Sequence, residues 1–162
     1  MKQYTHSELV DIAARWLKGR CGVVIPELST IAGEIPDVFG FRSDSTWLIE
    51  CKCSRSDFLA DKNKTFRKSP FLGMGDFRFY CAPKGLIKIE ELPELWGLIE
   101  VDNGNAKLTH NPHGKGNIYY SHKRHEKSKL NEYLFMYSIL RRMEIKQLTK
   151  EVCRFDDFTQ KD

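Results

Sequence analysis

The stretch TWLIECKC, residues 46–53, decides how the rest of the chain is read. Its aromatic and β-branched content is that of a strand. Strand side chains alternate, so Trp47, Ile49, Cys51 and Cys53 share one face, and Leu48, Glu50 and Lys52 the other. Glu50 and Lys52 then project together from an otherwise apolar strand. Opposite charges in such a place are costly unless they are paired, coordinated to a cation or turned into a cleft. Just upstream, residues 34–42 (EIPDVFGFR) predict a second strand, and Ser43, Asp44 and Ser45 a short hairpin loop. If these two strands pair, Asp37 becomes a neighbour of Glu50.

The pattern extends outward on both sides. Residues 5–19 predict a helix, opened by a Thr5-x-x-Glu8 capping box and followed by Leu9, Ile12, Ala13, Trp16 and Leu17 at helical spacing. Residues 21–28 predict a strand in which Pro26 marks an edge or an end. Ser54 to about Lys68 predicts a basic helix capped by Ser54, and residues 76–82 a strand stopped by Pro83. A further strand is expected at GLIEV, residues 97–101. Residues 104–125 read as a basic, His-rich loop. Residues 126–148 read as a long C-terminal helix with an apolar stripe of Leu130, Tyr133, Leu134, Tyr137, Leu140 and Met143. The expectation is one α/β domain over residues 1–162. Its core, residues 5–103, runs helix, three-strand meander, helix, strand, and a C-terminal strand and long helix complete it.

Composition narrows the function classes. With 162 residues, 41% hydrophobic and 12% aromatic, the chain is long and apolar enough to fold without staples. No apolar run approaches the roughly 18 residues of a membrane span, and the start, MKQYTHSELVDIAARW, has no apolar signal region. The five cysteines are odd in number and contain no C-x-x-C pair, which disfavours a disulfide framework and suggests a reducing cytoplasm. The formal net charge of +4 conceals a segmented map. Residues 52–68 and 107–130 are basic, whereas 86–104 is acidic. Two basic segments in one small domain favour a phosphate-rich partner.

Two carboxylates at one point, Asp37 and Glu50, make a hard oxygen site for Mg²⁺ or Mn²⁺. Such a cation activates water and offsets charge in phosphodiester hydrolysis, and a lysine two residues beyond Glu50 is placed to assist. The plainer reading is an ion pair of Lys52 with Asp37 or Glu50 at a strand end.

Pro36-Asp37 followed by Glu50-Cys51-Lys52 resembles the PD-(D/E)xK nuclease superfamily. More narrowly, LIECKCSRSDFLADKNKTFR with FRFYCAPKGLI resembles MmcB-like DNA repair proteins and phage-borne nuclease-like proteins. The resemblance spans roughly residues 5–103. It implies a restriction-endonuclease-like fold and metal-dependent cleavage or processing of DNA, in repair, recombination or phage DNA metabolism. The alternative is a nuclease fold kept for DNA binding or protein contact with little or no cleavage. By the motif, Asp37 and Glu50 would be metal ligands and Lys52 the catalytic lysine. Superfamily members often add a carboxylate from the first helix, and Glu8 matches that position. Glu34, three residues before Asp37, would face away in a regular strand.

Ser54, Arg55, Lys62, Lys64 and Arg67 follow the central strand and are candidates for phosphate contacts. An amphipathic helix facing solvent explains them as well. His110, His113, His122 and His125 offer a rival zinc site, but without paired cysteines zinc is disfavoured. The long C-terminal helix is available to cap the sheet or to pair two copies as a homodimer.

Overall fold

In the computed structural model, which describes residues 3–114, 118 and 121–152, the strand expected over 46–53 runs from Thr46 to Cys51 (β3), and all its residues are buried. Burying both faces of a strand requires a central position in a sheet covered on both sides. The sheet has six strands in the order β1-β2-β3-β4-β5-β6: Val23–Pro26, Val38–Phe41, β3, Phe77–Pro83, Trp96–Asp102 and Asn105–His110. β1, β2 and β3 form an antiparallel meander. β4 and β5 add on in parallel, and β6 returns antiparallel. This is a mixed α/β fold, and the order helix, meander, helix, strand follows the expectation.

The helices cover the two faces. α1 (His6–Lys18) is opened by the expected capping box, with Thr5 and Glu8 each accepting from the other's backbone N–H. Its Leu9, Ala13 and Leu17 pack with Trp47, Ile49, Cys51, Phe77 and Phe79. On the opposite face Leu48, Tyr80, Trp96 and Leu98 receive Phe58 from α2 (Arg55–Asp61) and Phe135 from α4 (Lys129–Ile145). Cys51 and Cys81 sit in the first of these cores, with Cys53 packed against it, and Cys21, Cys51, Cys53 and Cys81 are all free thiols. Cys153 lies outside the described residues.

Four expectations are corrected. β2 begins at Val38 rather than residue 34, so strand alternation does not govern Glu34. The helix expected over 54–68 breaks into α2 and α3 (Thr65–Lys68). Asn63 N–H bonds to Ala60 O and Lys64 N–H to Asp61 O, a tightened end to α2. The break has a consequence: six residues on a continuous helix span about 240°, so Arg67 would point away from Asp61. The loop expected over 104–125 starts instead with β6, whose Lys107 and Thr109 face outward while Ala106 and Leu108 are half-buried. Asn103 and Gly104, with φ of 50° and 79°, form the two-residue turn that joins β5 to β6. The C-terminal helix is shorter than 126–148; Ser128 caps α4, and a turn separates it from α5 (Thr149–Val152). Among the described residues, no helix is long and apolar enough to cross a membrane.

Close packing of β4 on β5 depends on Gly97. A Cβ there would lie 2.4 Å from Cδ1 of buried Phe79. Gly97→Ala should therefore destabilise the fold by about 1–3 kcal/mol, read as a lower denaturant midpoint. Unchanged stability would mean that β4 and β5 pack less tightly than described.

Candidate active site

The meander delivers Asp37 to Glu50. Val38 pairs with Ile49 across β2 and β3, and the same register carried one residue further sets Asp37 opposite Glu50. Asp37 Oδ2 accepts the Cys51 N–H at 2.7 Å. Its Oδ1 lies 3.4 Å from Nε2 of His6, the first residue of α1, and that ring is also 3.5 Å from Glu27 Oε1. Burial and then the Glu50 charge push the Asp37 carboxyl up to about 6. Cys51 N–H, His6 and Lys52 pull the other way without cancelling this rise.

Glu50 is treated differently. Its Oε2 lies 3.1 Å from Lys52 Nζ and 3.4 Å from Lys64 Nζ, and its Oε1 is 3.3 Å from an Arg67 terminal nitrogen. A second carboxylate, Asp61 at the end of α2, shares all three cations. Its Oδ1 is 3.1 Å from Lys52 Nζ and 2.8 Å from Lys64 Nζ; Arg67 Nε donates to its Oδ2 at 2.6 Å. Tyr80 O–H donates to the same Oδ2 at 2.7 Å. Arg67 extends the network to Glu34 Oε1 at 2.8 Å and lies over Trp96, its guanidinium carbon 4.5 Å from the ring centre. Glu34 Oε2 in turn accepts the Met74 N–H at 2.6 Å.

Glu34, Glu50, Lys52, Asp61 and the Arg67 side chain are all at most 4% exposed, whereas the Lys64 side chain is 49% exposed. Burial alone would raise the Asp61 carboxyl, but Arg67, Lys64 and Lys52 hold it well below the usual carboxylate range. Against the cost of burial, Glu50 and Asp61 raise Lys52.

The expected site residues therefore divide. Asp37, Glu50 and Lys52 come together as read from the sequence. Lys64 joins them, as a partner of Glu50 and Asp61 at the rim. Arg67 is not at the surface of a continuous helix: its buried guanidinium is committed to three carboxylates. Arg55 is held by Glu91 at 2.6 and 2.7 Å and by Leu86 O at 3.1 Å. Lys62 lies over the Phe58 ring at 5.0 Å. Ser54 accepts the Asp57 N–H as the cap of α2 and bonds Ser56 Oγ. Glu8 closes the capping box of α1, where its Oε2 accepts from Thr5 N–H and Thr5 O–H.

The histidines do not converge either. His125 Nε2–H donates to Leu95 O at 3.2 Å, and burial pushes His125 down to about 4. His113 packs edge-on against Phe77 at 4.9 Å, while His110 ends β6. Among the described residues, no three His, Cys, Asp or Glu side chains are gathered as a metal cage.

Sequence reasoning missed Asp61 and His6 and set Glu34 aside. Asp61 follows Phe58 by three residues and so shares its buried helix face; that spacing was the available signal. Glu34 was excluded by an alternation that its coil segment does not obey.

As for a metal, Asp37 and Glu50 are a pair of oxygen donors of the kind that suits a hard divalent ion. Asp37 retains a repulsion that a cation would relieve, and Mg²⁺ commonly completes its shell with water. Lys64 shares Glu50 Oε2 from a half-exposed position.

No family model matches the chain, and no curated protein does. A solved structure that resembles it is the SPO1766 protein of unknown function from Silicibacter pomeroyi. The two share 22% identity over 93% of this chain and 94% of that one, with a TM-score of 0.61. The likeness concerns the fold.

Two stability measurements test the electrostatics. Asp61→Asn leaves Lys52 and Arg67 short of a buried partner and should cost about 3–5 kcal/mol in denaturant unfolding at neutral pH; a loss below 1 kcal/mol would mean the network is dispensable. For Asp37 the sign is opposite. A folded-state value above the unfolded one favours folding below the unfolded carboxylate range, and that contribution is lost as pH rises through about 6. Asp37→Asn, whose amide oxygen still accepts from Cys51, should stabilise the protein by about 1–2 kcal/mol at pH 8 and hardly at pH 4. Stabilisation that does not grow with pH contradicts the raised value.

Proposed function

We propose that this chain is a Mg²⁺- or Mn²⁺-dependent nuclease that hydrolyses phosphodiester bonds in DNA. The observation that carries the reading is the asymmetry between two adjacent carboxylates. Glu50 is surrounded by cations, whereas Asp37 beside it is pushed up to about 6, first by burial and then by the Glu50 charge. Perturbed carboxylates of this kind mark functional sites more often than chance. The helix, meander, helix and parallel strand order supports a restriction-endonuclease-like core, as does the resemblance of Pro36-Asp37 and Glu50-Cys51-Lys52 to the PD-(D/E)xK superfamily.

Asp37 and Glu50 would hold the divalent cation, which when bound supplies Lewis-acid activation of water and phosphate. Lys52 is kept protonated by Glu50 and Asp61, so it serves as a fixed positive charge for a developing phosphorane rather than as a base. Lys64, half-exposed at the rim, is the basic residue of the site best able to leave its carboxylates for a backbone phosphate. His6 presents a ring nitrogen to Asp37 from the solvent side. The setting that suits this chemistry is cytoplasmic DNA repair, recombination or phage DNA processing.

A second reading has its own observation. Lys52, Lys64 and Arg67 already neutralise Glu50, which suits a nuclease fold retained for binding DNA or a protein without cleavage.

A cleavage panel decides between them. Purified protein is incubated with single-stranded, double-stranded and branched DNA, and with RNA, in Mg²⁺, Mn²⁺ or EDTA. The nuclease reading expects metal-dependent products that fall at least 100-fold in Asp37→Ala, Glu50→Gln and Lys52→Met. Gel shifts in EDTA without cleavage in either metal would favour the binding module. Cleavage that persists in all three variants would remove these residues from the active site.

A further inference from the structure

The most unusual surface of this molecule is the outer side of α4. Phe135 and Ile139 turn inward against the sheet, as a covering helix requires. The opposite side should be polar, yet it carries Leu130 (65% exposed), Tyr133 (59%), Met136 (44%), Tyr137 (47%), Leu140 (52%) and Ile145 (65%). More than half of the exposed large apolar side chains among the described residues lie on α4 or just beyond it. Leu130, Tyr133, Tyr137 and Leu140 follow one another at intervals of three, four and three residues. That spacing builds a straight seam for another helix. A helix that is apolar all round is normally covered on all sides.

We propose that this seam is the interface of a homodimer, in which α4 of one copy packs antiparallel against α4 of a second across a two-fold axis near Met136 and Tyr137. The charges on the helix select both the partner and the direction. Lys129 is exposed at the start of α4 and Glu144 at its end. Antiparallel pairing sets each Lys129 beside the other copy's Glu144, twice by symmetry. It also sets Arg141 of each helix beside Tyr133 of the other, where a guanidinium can stack on the ring. Parallel pairing would instead bring Arg141 against its own copy. Glu144 keeps one carboxylate oxygen for this role, since Thr149 O–H binds the other. Ile31, 73% exposed, continues the apolar surface across a groove of about 490 Å³ beside Tyr137 and Ile145. Two such faces remove on the order of 1,000 Å² from water, the size of a weak, reversible interface. The seam includes none of Asp37, Glu50 or Lys52, so the proposal stands apart from the nuclease reading.

Sedimentation velocity of the full chain tests it, at concentrations up to about 100 µM, where a modest interface of this size is populated. The native chain should dimerise. Tyr137→Asp with Leu140→Asp should weaken association at least ten-fold while leaving the circular dichroism spectrum and thermal midpoint near native, because both side chains are exposed. Lys129→Glu should weaken it several-fold, and adding Glu144→Lys should restore it, a rescue that only antiparallel pairing provides. A monomer at every concentration overturns the proposal, whether the seam is then bare or covered by another part of the same chain. A dimer indifferent to the Tyr137 and Leu140 changes overturns it too. A dimer without charge-swap rescue overturns the antiparallel arrangement.

Discussion

One guanidinium holds four parts of this protein together. Arg67 reaches Glu34 in the segment before β2, Glu50 on β3 and Asp61 on α2, and it rests on the Trp96 ring of β5. Burying such a group is favourable only when its donors are met by well-placed acceptors. Arg67 satisfies that condition with three carboxylates at 2.6 to 3.3 Å. The geometry also explains the interruption between α2 and α3. Without that turn the guanidinium would leave the sheet, and three acids would remain in a poorly solvated interior. The break is thus required by electrostatics rather than tolerated as an imperfection.

This network sets the character of the candidate site. Lys52 and Lys64 bridge the same two oxygens, Glu50 Oε2 and Asp61 Oδ1, one from within and one from the rim. The inner ammonium is fixed by burial. The outer one has water on one side and can exchange its carboxylates for another anion at modest cost. Asp37 stands at the edge of this cluster, where the Lys52 charge offsets only part of the rise that burial and Glu50 impose. The site therefore joins a rigid, charge-balanced floor to one carboxylate whose ionisation is contested.

The sequence carried much of this and lost specific parts of it. Alternation in TWLIECKC and the flanking helix patterns were enough to give the meander, the first helix and the meeting of Asp37 with Glu50. Those features rest on local periodicity and on hairpin register, which are written in consecutive residues. The contacts of Arg67 were not readable, because they depend on where a helix stops, and Lys62 and Asn63 are not strong breakers. Reading Arg67 as a surface cation followed from assuming one continuous helix. Glu34 was lost because a period of two was extended into coil. β6 was passed over although Asn103-Gly104 is a strong hairpin signal, since the basic, His-rich composition beyond it drew attention to loop chemistry instead. Glu8 shows how one residue fits two patterns, a helix cap by spacing and a catalytic carboxylate by position.

The two rims of the sheet have a bearing on colloidal behaviour. An open sheet exposes unpaired backbone groups along each outer strand, and these can recruit further strands without limit. Here β1 is only four residues long and ends at Pro26, which has no N–H to offer. β6 turns Asn105, Lys107 and Thr109 to solvent, so an approaching copy would meet a desolvating lysine. Both rims resist strand-by-strand growth, which protects a sheet rich in buried aromatic residues from the amyloid-like stacking that its composition would otherwise invite.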